Sequence, residues 1–381
     1  MRKITIRFFN TAGPVQSDRH YWVPPLERFN LADILSLIEQ QKYFVLHAPR
    51  QTGKTSVLLA LMEYLNQRDE YTCLYFNVEI AQYARENVRQ GLEAILNELT
   101  GRARDQLNDL RPHQILAEIF QRFNAGTAMN ELLTRWADDN HKPLVLLIDE
   151  IDSLVGDTLI SVLRQLRAGY DKRPGLFPQS IILCGVRDVR DYRIHSSRDK
   201  AIITGGSAFN VKAKSLHLGN FSQPEVERLL RQHTTETGQV FEPEAVEQVW
   251  YLTQGQPWLV NALAYEVCFE MEAGRDRTAL ITRATVTRAK EHIILRRETH
   301  LDQLVDKLQE DRVRQVIQPI LAGEASPDLI PTDDIGYVRD LGLIRTDQGQ
   351  LAIANPIYQE VIPRELTETN PGASPRLQPW G

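Results

Sequence analysis

The chain has 381 residues, of which 42% are hydrophobic and 25% are charged, and its formal net charge is −6. This length is more than one ordinary hydrophobic core accommodates, so two or three domains are expected. The composition is typical of soluble globular domains, and the mildly acidic balance argues against a nucleic-acid coat or a membrane-surface protein.

The sequence shows no pattern for export or membrane insertion. No apolar run approaches the roughly 18 residues that a membrane-spanning helix requires. The N-terminal stretch MRKITIRFFN is too polar and too alternating for a signal peptide. Cys73, Cys184 and Cys268 lie far apart in apolar segments, which predicts small buried core residues rather than disulfides or a zinc site. We therefore expect a protein of the reducing cytoplasm with no membrane partner.

The predicted elements of the first 220 residues alternate between strands and helices. In chain order we predict a strand over residues 3–9, a loop with Gly-Pro and Pro-Pro pairs over 10–29, a helix over 31–40 that Asn30 caps, a strand over 43–48 and a helix after Lys54. Further strands are predicted over 73–79, 143–150, 180–186 and 215–221, with helices over 83–139, broken near Gly101 and Gly126, and over 159–170. This alternation predicts a parallel α/β sheet with right-handed crossovers.

Downstream of Phe221 the predicted strands stop. A capping box over residues 222–225 begins a helical region that runs to about residue 297, with interruptions at Gly238 and at residues 255–257. Helices over 301–321, a turn over 346–350 and the segment LAIANP then indicate a winged helix. The Pro- and Gly-rich tail is expected to be flexible.

The stretch HAPRQTGKTS, residues 47–56, ends like the phosphate-binding pattern G-x-x-x-x-G-K-[ST], with Ala48 in place of the first glycine. Such loops bind phosphate because consecutive backbone N–H groups converge at a helix N-terminus. Lys54 is expected to reach the β- and γ-phosphates, and the hydroxyl of Thr55 is expected to bind Mg²⁺. Alanine at position 48 is tolerable if its φ is negative, so we interpret the loop as a variant of a working site. The predicted nucleotide-binding residues of the loop are Pro49, Arg50, Gln51, Thr52, Gly53, Lys54, Thr55 and Ser56.

The segment LVLLIDEID adds two acids at the end of a buried strand. Asp149 is expected to hold Mg²⁺ together with Thr55, and Glu150 is expected to polarise a water molecule for attack on the γ-phosphate. In the alternative interpretation one acid only caps the following helix, which suits Asp152 better than Asp149. Together the two motifs predict a site for ATP and Mg²⁺, with Asp152 as the next candidate for the base.

With both motifs on alternating strands, the core resembles the P-loop NTPases of the AAA+ and STAND groups. The resemblance implies that the strand SIILCGV lies between the two motif strands and that its carboxyl end faces the γ-phosphate. Arg187, at that end, looks like the sensor arginine of STAND proteins and is the second expected catalytic residue, the alternative being a surface cation. The segment Gly255-Gln256-Pro257 resembles the G-x-P motif of the helical lid, which implies that Gly255 and Pro257 lie near the adenine unless the segment is only a turn between helices.

Nearly the whole chain resembles the bacterial AAA-like ATP-binding proteins. The stretches that carry this resemblance are FFNTAGPV, HYWVPPLERF, YFVLHAPRQTGKTS, GVRDVRDYR, LTQGQPWLVNALA and IANPIYQEVIPREL. The substituted first glycine is common in that group, whereas the G-R-E-type motif of many STAND proteins has no clear match here. The resemblance implies an α/β P-loop NTPase core over residues 1–220, a helical lid over 221–297, a winged-helix domain over 298–366 and a flexible tail over 367–381.

Three functions are compatible with these motifs. The favoured one is an ATP-hydrolysing switch whose lid closes on nucleotide and whose winged helix reports the nucleotide state. The second is a DNA-associated AAA+ ATPase, which Asp333, Asp334 and Asp340 disfavour because phosphate contacts need clustered cations. The third is a scaffold that binds ATP and barely hydrolyses it, against which Glu150 counts. A basic face for DNA would depend on Arg296, Arg297, Arg312 and Arg314.

The expected partners follow from the favoured function. ATP and ADP are the expected ligands, together with a nucleotide-dependent homo-oligomer and a protein partner that the sequence does not identify. In AAA+ assemblies an arginine finger acts in trans, and Arg190, Arg193 and Arg198 follow the sensor strand where such a finger would lie. The alternative is that these three arginines belong to a solvated polar loop.

Overall fold

The computed structural model describes residues 6–188, 192–196, 201–296, 299–323 and 330–369. The chain divides into two compact units. The first unit contains Met1–Pro24, Pro49–Gly53 and Gly219–Gly381, and the second contains Pro25–Ala48 and Lys54–Leu218. The predicted domain boundaries near residues 220, 297 and 366 are finer than this division and stay a prediction. Most of the predicted tail, from residue 370 onward, lies outside the described residues.

Strands and helices alternate through the first half of the chain, and helices dominate the second. The strands are β1 (Phe8–Phe9), β2 (His20–Tyr21), β3 (Tyr43–His47), β4 (Thr72–Asn77), β5 (Leu144–Asp149), β6 (Ser180–Gly185), β7 (Arg193–Ser196), β8 (Ala201–Thr204), β9 (Lys212–His217), β10 (Ile344–Asp347) and β11 (Gln350–Ile353).

Among the described residues, we find no helix that combines the length and the apolar composition needed to cross a bilayer. The helices are α1 (Leu31–Glu39), α2 (Lys54–Gln67), α3 (Val88–Leu107), α4 (Arg111–Arg122), α5 (Ala125–Asp138), α6 (Gly156–Ala168), α7 (Gly205–Ala208), α8 (Gln223–Thr237), α9 (Pro243–Thr253), α10 (Pro257–Tyr265), α11 (Glu272–Arg275), α12 (Arg283–Leu295), α13 (Thr299–Leu308), α14 (Asp311–Ala322), α15 (Thr332–Asp340) and α16 (Pro356–Thr369).

The second unit is built on a five-stranded parallel sheet with the strand order β4-β5-β6-β3-β9. All six residues of β5 and of β6 are buried, as expected for central parallel strands with helices on both faces. Side chains alternate between those faces: Tyr43 and Val45 belong to one hydrophobic cluster, and Phe44 and Leu46 to the other. The predicted α/β class and parallel core are therefore confirmed, and the loops after β3, β5 and β6 leave the same edge of the sheet.

The first unit joins the N-terminal segment to the helices after Phe221. β1 pairs in parallel with β2, and the hydroxyl of Tyr21 lies 3.3 Å from Nδ1 of the fully buried His233 on α8. Further along, α14, α15, the antiparallel hairpin β10–β11 and α16 form a winged-helix-like end. One hydrophobic cluster includes residues from β1, from α8, α9, α10 and α12 and from this end, so these parts share a core.

Five local features differ from the predictions. Helix α3 runs through Gly101, because one glycine costs only about 1 kcal/mol in a helix whose neighbouring turns bury Leu99 and Ala103. The predicted loop over 10–29 contains β2, and the predicted strand over 3–9 is a strand only at Phe8–Phe9 among its described residues. The fifth core strand begins three residues earlier than predicted, at Lys212. The hairpin β7–β8 was not predicted.

Other local predictions are confirmed. Asn30 accepts a hydrogen bond from the backbone N–H of Asp33 at the start of α1. The capping box at Ser222 is present, and the backbone N–H of Ser222 donates to the carboxylate of Glu225 at 2.6 Å. Cys73, Cys184 and Cys268 are free thiols in the interior, and burial raises the pKa of each.

Candidate functional site

The phosphate-type loop connects β3 to α2. Gln51 has a φ of 56° and Gly53 a φ of 94°. Two residues of the loop therefore have a positive φ before Lys54 begins the helix. Ala48 is fully buried, and its φ is not positive. Its backbone N–H donates to the carbonyl oxygen of Gly185 at 3.2 Å. A glycine is therefore not required at position 48, and the condition for a tolerated alanine is met.

Two loop side chains bond to loop carbonyls. The hydroxyl of Thr52, which is fully buried, donates to the carbonyl oxygen of Pro49 at 2.7 Å. Nζ of Lys54 donates to the carbonyl oxygen of Ala48 at 3.0 Å, and Lys54 is only 5% exposed. An ammonium group held at a helix N-terminus, next to backbone N–H groups, is suited to bind an anion such as a phosphate.

Asp149 is a fully buried carboxylate at the end of β5. Its Oδ2 accepts hydrogen bonds from the hydroxyls of Thr55 at 2.7 Å and Tyr75 at 3.0 Å. Its Oδ1 accepts from the backbone N–H of Glu150 at 3.0 Å. Burial, and then the charge of Asp149, raises the pKa of Tyr75, so this phenol stays a donor.

The structure thus brings together Thr55 and Asp149, the two residues predicted to hold Mg²⁺. A threonine hydroxyl and an aspartate carboxylate are oxygen ligands of the kind that Mg²⁺ prefers, and one or two protein oxygens with phosphates and water complete its usual octahedron. The donor set therefore fits Mg²⁺. Thr55 lies on α2 and Asp149 on β5, and the two residues are 94 positions apart in the sequence.

Glu150 has an unusual backbone. Its φ is 56° and its ψ 41°, in the left-handed region that residues other than glycine seldom occupy. Such a conformation costs about 1–3 kcal/mol, and it clusters at functional sites where the surrounding structure imposes it. This conformation makes the chain change direction immediately after β5. Glu150 itself is partly exposed.

Asp152 does not cap α6, contrary to the alternative considered from the sequence. Its Oδ1 accepts a hydrogen bond from the backbone N–H of Val186 at 3.3 Å, and α6 begins only at Gly156. A Cβ added at Gly185 would lie 2.6 Å from the same Oδ1, so the two strand ends are in close contact. Asp152 therefore joins the end of β5 to the end of β6. This bond occupies one of its oxygens and makes it a poorer candidate for a base.

Arg187 lies two residues after the end of β6 and is partly buried. Its carbonyl oxygen accepts a hydrogen bond from the hydroxyl of Tyr192 at 3.3 Å. Because β5 and β6 are adjacent and parallel, Arg187 and Asp149 leave the sheet at the same edge. Of the predicted finger residues, Arg190 and Arg198 lie outside the described residues, and the side chain of Arg193 does as well.

The Gly255–Pro257 turn lies in the first unit. Gly255 has a φ of 71°, and a Cβ added there would lie 2.0 Å from the carbonyl oxygen of Phe221. Phe221 in turn donates its N–H to the carbonyl oxygen of Gly255 at 2.8 Å. Pro257 is the first residue of α10, where its missing N–H costs nothing. The turn therefore has a structural role in this unit.

Gln256 was missing from the predicted site. Its Oε1 caps α10 by accepting a hydrogen bond from the N–H of Leu259 at 2.6 Å, which orients the amide group. The residue is 5% exposed, and its Nε2 has no partner among the described residues. A polar residue directly before a helix-starting proline was the signal that sequence reasoning could have used. A buried donor of this kind suits a ligand acceptor.

The chain is similar to known proteins in sequence and in fold. A family model described as an AAA-like domain matches residues 13–363. A Walker-type ATPase of Pyrococcus abyssi has a similar solved structure, with a TM-score of 0.60 and 14% identity over 93% of this chain and 99% of its own. At that identity the similarity shows the fold alone.

Two weaker structural similarities carry no further argument. The Aeropyrum pernix Orc1 protein in complex with DNA has a TM-score of 0.46 and 16% identity over 92% of this chain and 94% of its own. Cdc6p of Pyrobaculum aerophilum has a TM-score of 0.45 and 16% identity over 90% of this chain and 93% of its own. No curated protein sequence matches the chain.

We predict that Ala48→Gly leaves ATP affinity within about twofold, because position 48 does not need a positive φ. The substitution should lower the free energy of unfolding by about 0.4–1 kcal/mol, since glycine gives the unfolded chain more freedom. Gly53→Ala is the matched control: with a φ of 94° it should lose affinity. Equilibrium titration and denaturant unfolding measure both effects. A gain in ATP affinity of tenfold or more in Ala48→Gly would show that the native loop is impaired.

Proposed function

This chain belongs to the AAA-like domain family, and we propose that it is an ATP-binding and ATP-hydrolysing molecular switch of the AAA+/STAND type. The observation that carries the proposal is the hydrogen bond between the Thr55 hydroxyl and the buried Asp149 carboxylate at the N-terminus of α2. It joins the phosphate loop to an acid that is otherwise expensive to bury. The family supports a Walker-type ATPase, and the switch is the finer proposal.

In this proposal the loop and Lys54 bind the phosphates. Backbone N–H groups at the N-terminus of α2 and the ammonium of Lys54 are suited to the β- and γ-phosphate oxygens. Thr55 and Asp149 would hold Mg²⁺, which neutralises phosphate charge when it is bound. Lys54 would exchange its bond to the Ala48 carbonyl for phosphate, because a charge-assisted bond to a phosphate is stronger than one to a neutral carbonyl.

Glu150 is the proposed base, and Arg187 the proposed sensor of the γ-phosphate. The strained backbone of Glu150 supports its role, since the same turn could be made by a glycine without cost. Its partly exposed carboxylate can accept a proton from an attacking water or orient that water. A guanidinium at Arg187 would stabilise charge that develops on the transferred phosphoryl group.

Contacts inside the first unit support a relay to the winged-helix-like end. A Cβ added at Gly342, after α15, would lie 2.8 Å from two ring carbons of Pro49 in the phosphate loop. On β10, Arg345 donates a hydrogen bond to the side chain of Gln254, the residue before Gly255. The C-terminal end therefore contacts both the loop and the turn for which we propose nucleotide contacts.

A second path leaves the same turn from Trp258. The indole N–H of Trp258 donates to the carbonyl oxygen of Thr11 at 2.9 Å, and its ring stacks on His300 with centroids 4.8 Å apart. His300 is hydrogen-bonded to the hydroxyl of Tyr358 on α16. Burial lowers the pKa of His300 to about 4, so this link is uncharged at neutral pH. A movement of α10 would thus be transmitted to the C-terminal helix α16.

The charge pattern of the winged-helix-like end favours the switch over DNA binding. Arg312 is paired with Asp334 at 2.8 Å and lies over the ring of Tyr337, and Arg314 is paired with Asp311. Arg296 is paired with the buried Glu266, and Arg297 lies outside the described residues. Cations that are already paired contribute less to phosphate binding, so a DNA-associated ATPase is the less supported alternative.

The remaining proposals concern partners and setting. A scaffold with little hydrolysis is disfavoured by the presence of Glu150, an acid that directly follows Asp149. Nucleotide-dependent self-association, with a finger from Arg190, Arg193 or Arg198, stays a proposal, as does an unidentified protein partner. Three buried free thiols support the reducing cytoplasm as the compartment.

We predict that Glu150→Gln retains ATP binding but slows single-turnover hydrolysis by roughly 10²-fold or more, the usual effect of removing a positioned base. Lys54→Ala, as the comparison, should lose tight ATP binding itself. Rapid-quench measurement of phosphate release, together with an equilibrium titration, separates the two effects. If Glu150→Gln hydrolyses ATP at the wild-type rate, Glu150 is not the base. If Lys54→Ala binds ATP with wild-type affinity, the phosphate loop is not the nucleotide site.

We predict that Pro257→Ala weakens the binding of ATP and of ADP by the same factor. The expected factor is roughly 4- to 15-fold, because the substitution removes one or two buried CH₂ groups and each contributes about 0.8 kcal/mol. Both nucleotides carry the adenine that the ring is proposed to contact. Pro243→Ala is the matched control, since Pro243 also begins a helix of the first unit. Limited proteolysis with and without nucleotide should show less protection of residues 226–297 in Pro257→Ala only. If Pro257→Ala keeps the wild-type affinity for both nucleotides and the full protection from protease, the motif is only a turn between helices.

A further inference from the structure

A buried polar network lies directly beside Arg187 in the second unit. Nζ of Lys212 and the hydroxyl of Ser215, both on β9, donate hydrogen bonds to Oδ2 of Asp188, the residue after Arg187. Nζ of Lys212 also donates to Oγ of Ser215 at 2.6 Å. The side chains of Lys212 and Asp188 are 3% and 9% exposed, so this ion pair is among the most deeply buried in the described part of the chain.

The backbone of β9 is distorted where it supplies this network. In a regular strand, residues three apart point to opposite faces of the sheet. Opposite Tyr43 and Phe44 the register of β9 shifts, so that Lys212 pairs with Tyr43 and Lys214 with Phe44. The extra residue brings Lys212 and Ser215 to the same face, where both reach Asp188. Bulges of this kind commonly redirect side chains next to active sites.

Stability alone does not account for the network. Burying an ion pair removes the hydration of both ions, and well-packed apolar residues of similar volume are often as stable or more stable. What the pair provides is a defined position for Asp188. Val186, on the other side of Arg187, is held through its N–H by Asp152, and the carbonyl of Arg187 is held by Tyr192. Arg187 thus lies in a segment that is fixed on both sides.

We propose that Asp188, Lys212 and Ser215 are positioning residues that hold Arg187 for the γ-phosphate and couple it to β9. The proposal rests on the function proposed above. β9 leads within two residues into the first unit, which resumes at Gly219, and the N–H of Leu218 donates to the carbonyl oxygen of His47 just before the phosphate loop. A change at Arg187 would therefore reach β9, whose chain continues into the first unit at Gly219.

The test compares ADP with a non-hydrolysable ATP analogue by equilibrium titration. Lys212→Met should reduce the preference for the analogue over ADP by roughly tenfold, about 1.4 kcal/mol, while ADP affinity stays within about twofold. Arg187→Ala should have the same effect on the preference. In the Arg187→Ala background, Lys212→Met should change the preference no further, because both substitutions remove one interaction.

Two further variants separate positioning from stability. Asp188→Leu combined with Lys212→Met replaces the ion pair with apolar side chains and should recover the stability that Lys212→Met loses, but not the preference for the analogue. Ser215→Ala, which keeps the ion pair, is the milder variant if Lys212→Met fails to fold, and it should lower the preference by a few fold. Lys214→Met is the matched control on β9, since Lys214 is about half exposed, and it should have no effect.

The outcomes distinguish this inference from the function on which it rests. If Arg187→Ala lowers the preference and neither Lys212→Met nor Ser215→Ala does, the network is only structural and the inference is wrong, while the ATPase assignment stands. If additive effects appear in the Arg187→Ala background, the network acts independently of Arg187, and positioning is again wrong. If wild-type protein binds neither nucleotide, the proposed function itself fails.

Discussion

The candidate site depends on one buried carboxylate. Asp149 lies at the end of the central strand β5 without exposure to solvent, and an unpaired charge there would cost far more than the stability of a typical domain. Two hydroxyls and one backbone N–H donate to it, from Thr55, Tyr75 and Glu150. Each of these bonds also positions a neighbour. Thr55 is tied to the start of α2, and the turn at Glu150 is tied to the end of the strand.

Other groups of the proposed mechanism also lie near the edge of the sheet where β5 ends. Asp152 connects the end of β5 to the end of β6, and the network at Asp188 connects the segment after β6 to β9. The phosphate loop follows β3, which lies between β6 and β9 in the sheet. Parallel strands make this arrangement because all their carboxyl ends lie on one side, so the end of β5, the end of β6 and the loop after β3 meet at one edge. Lys212 and Ser215 reach Asp188 from within β9 rather than from its carboxyl end.

The sequence predicted the parts of the fold that local patterns encode. Continuous apolar runs predicted β3, β5 and β6, and the spacing of Gly53, Lys54 and Thr55 predicted the loop at the start of α2. Features that depend on tertiary contacts were missed or left open. The φ of Ala48 depends on the loop as a whole. The start of β9 at Lys212 was missed because this lysine is buried by an acid 24 residues away in the sequence. Gly101 failed as a break because the tertiary packing of α3 outweighed its propensity.

The most direct test of the central claim is single-turnover ATP hydrolysis by the wild-type protein with Mg²⁺ and with excess chelator. The account predicts that ATP is hydrolysed only when Mg²⁺ is present, and that Asp149→Asn removes this dependence together with most of the activity. Gln67→Glu exchanges an amide for a carboxylate at an exposed residue at the end of α2, away from the loop, so it serves as the control and should keep the Mg²⁺ dependence. Hydrolysis that persists in chelator, or that is unaffected in Asp149→Asn, would contradict the account.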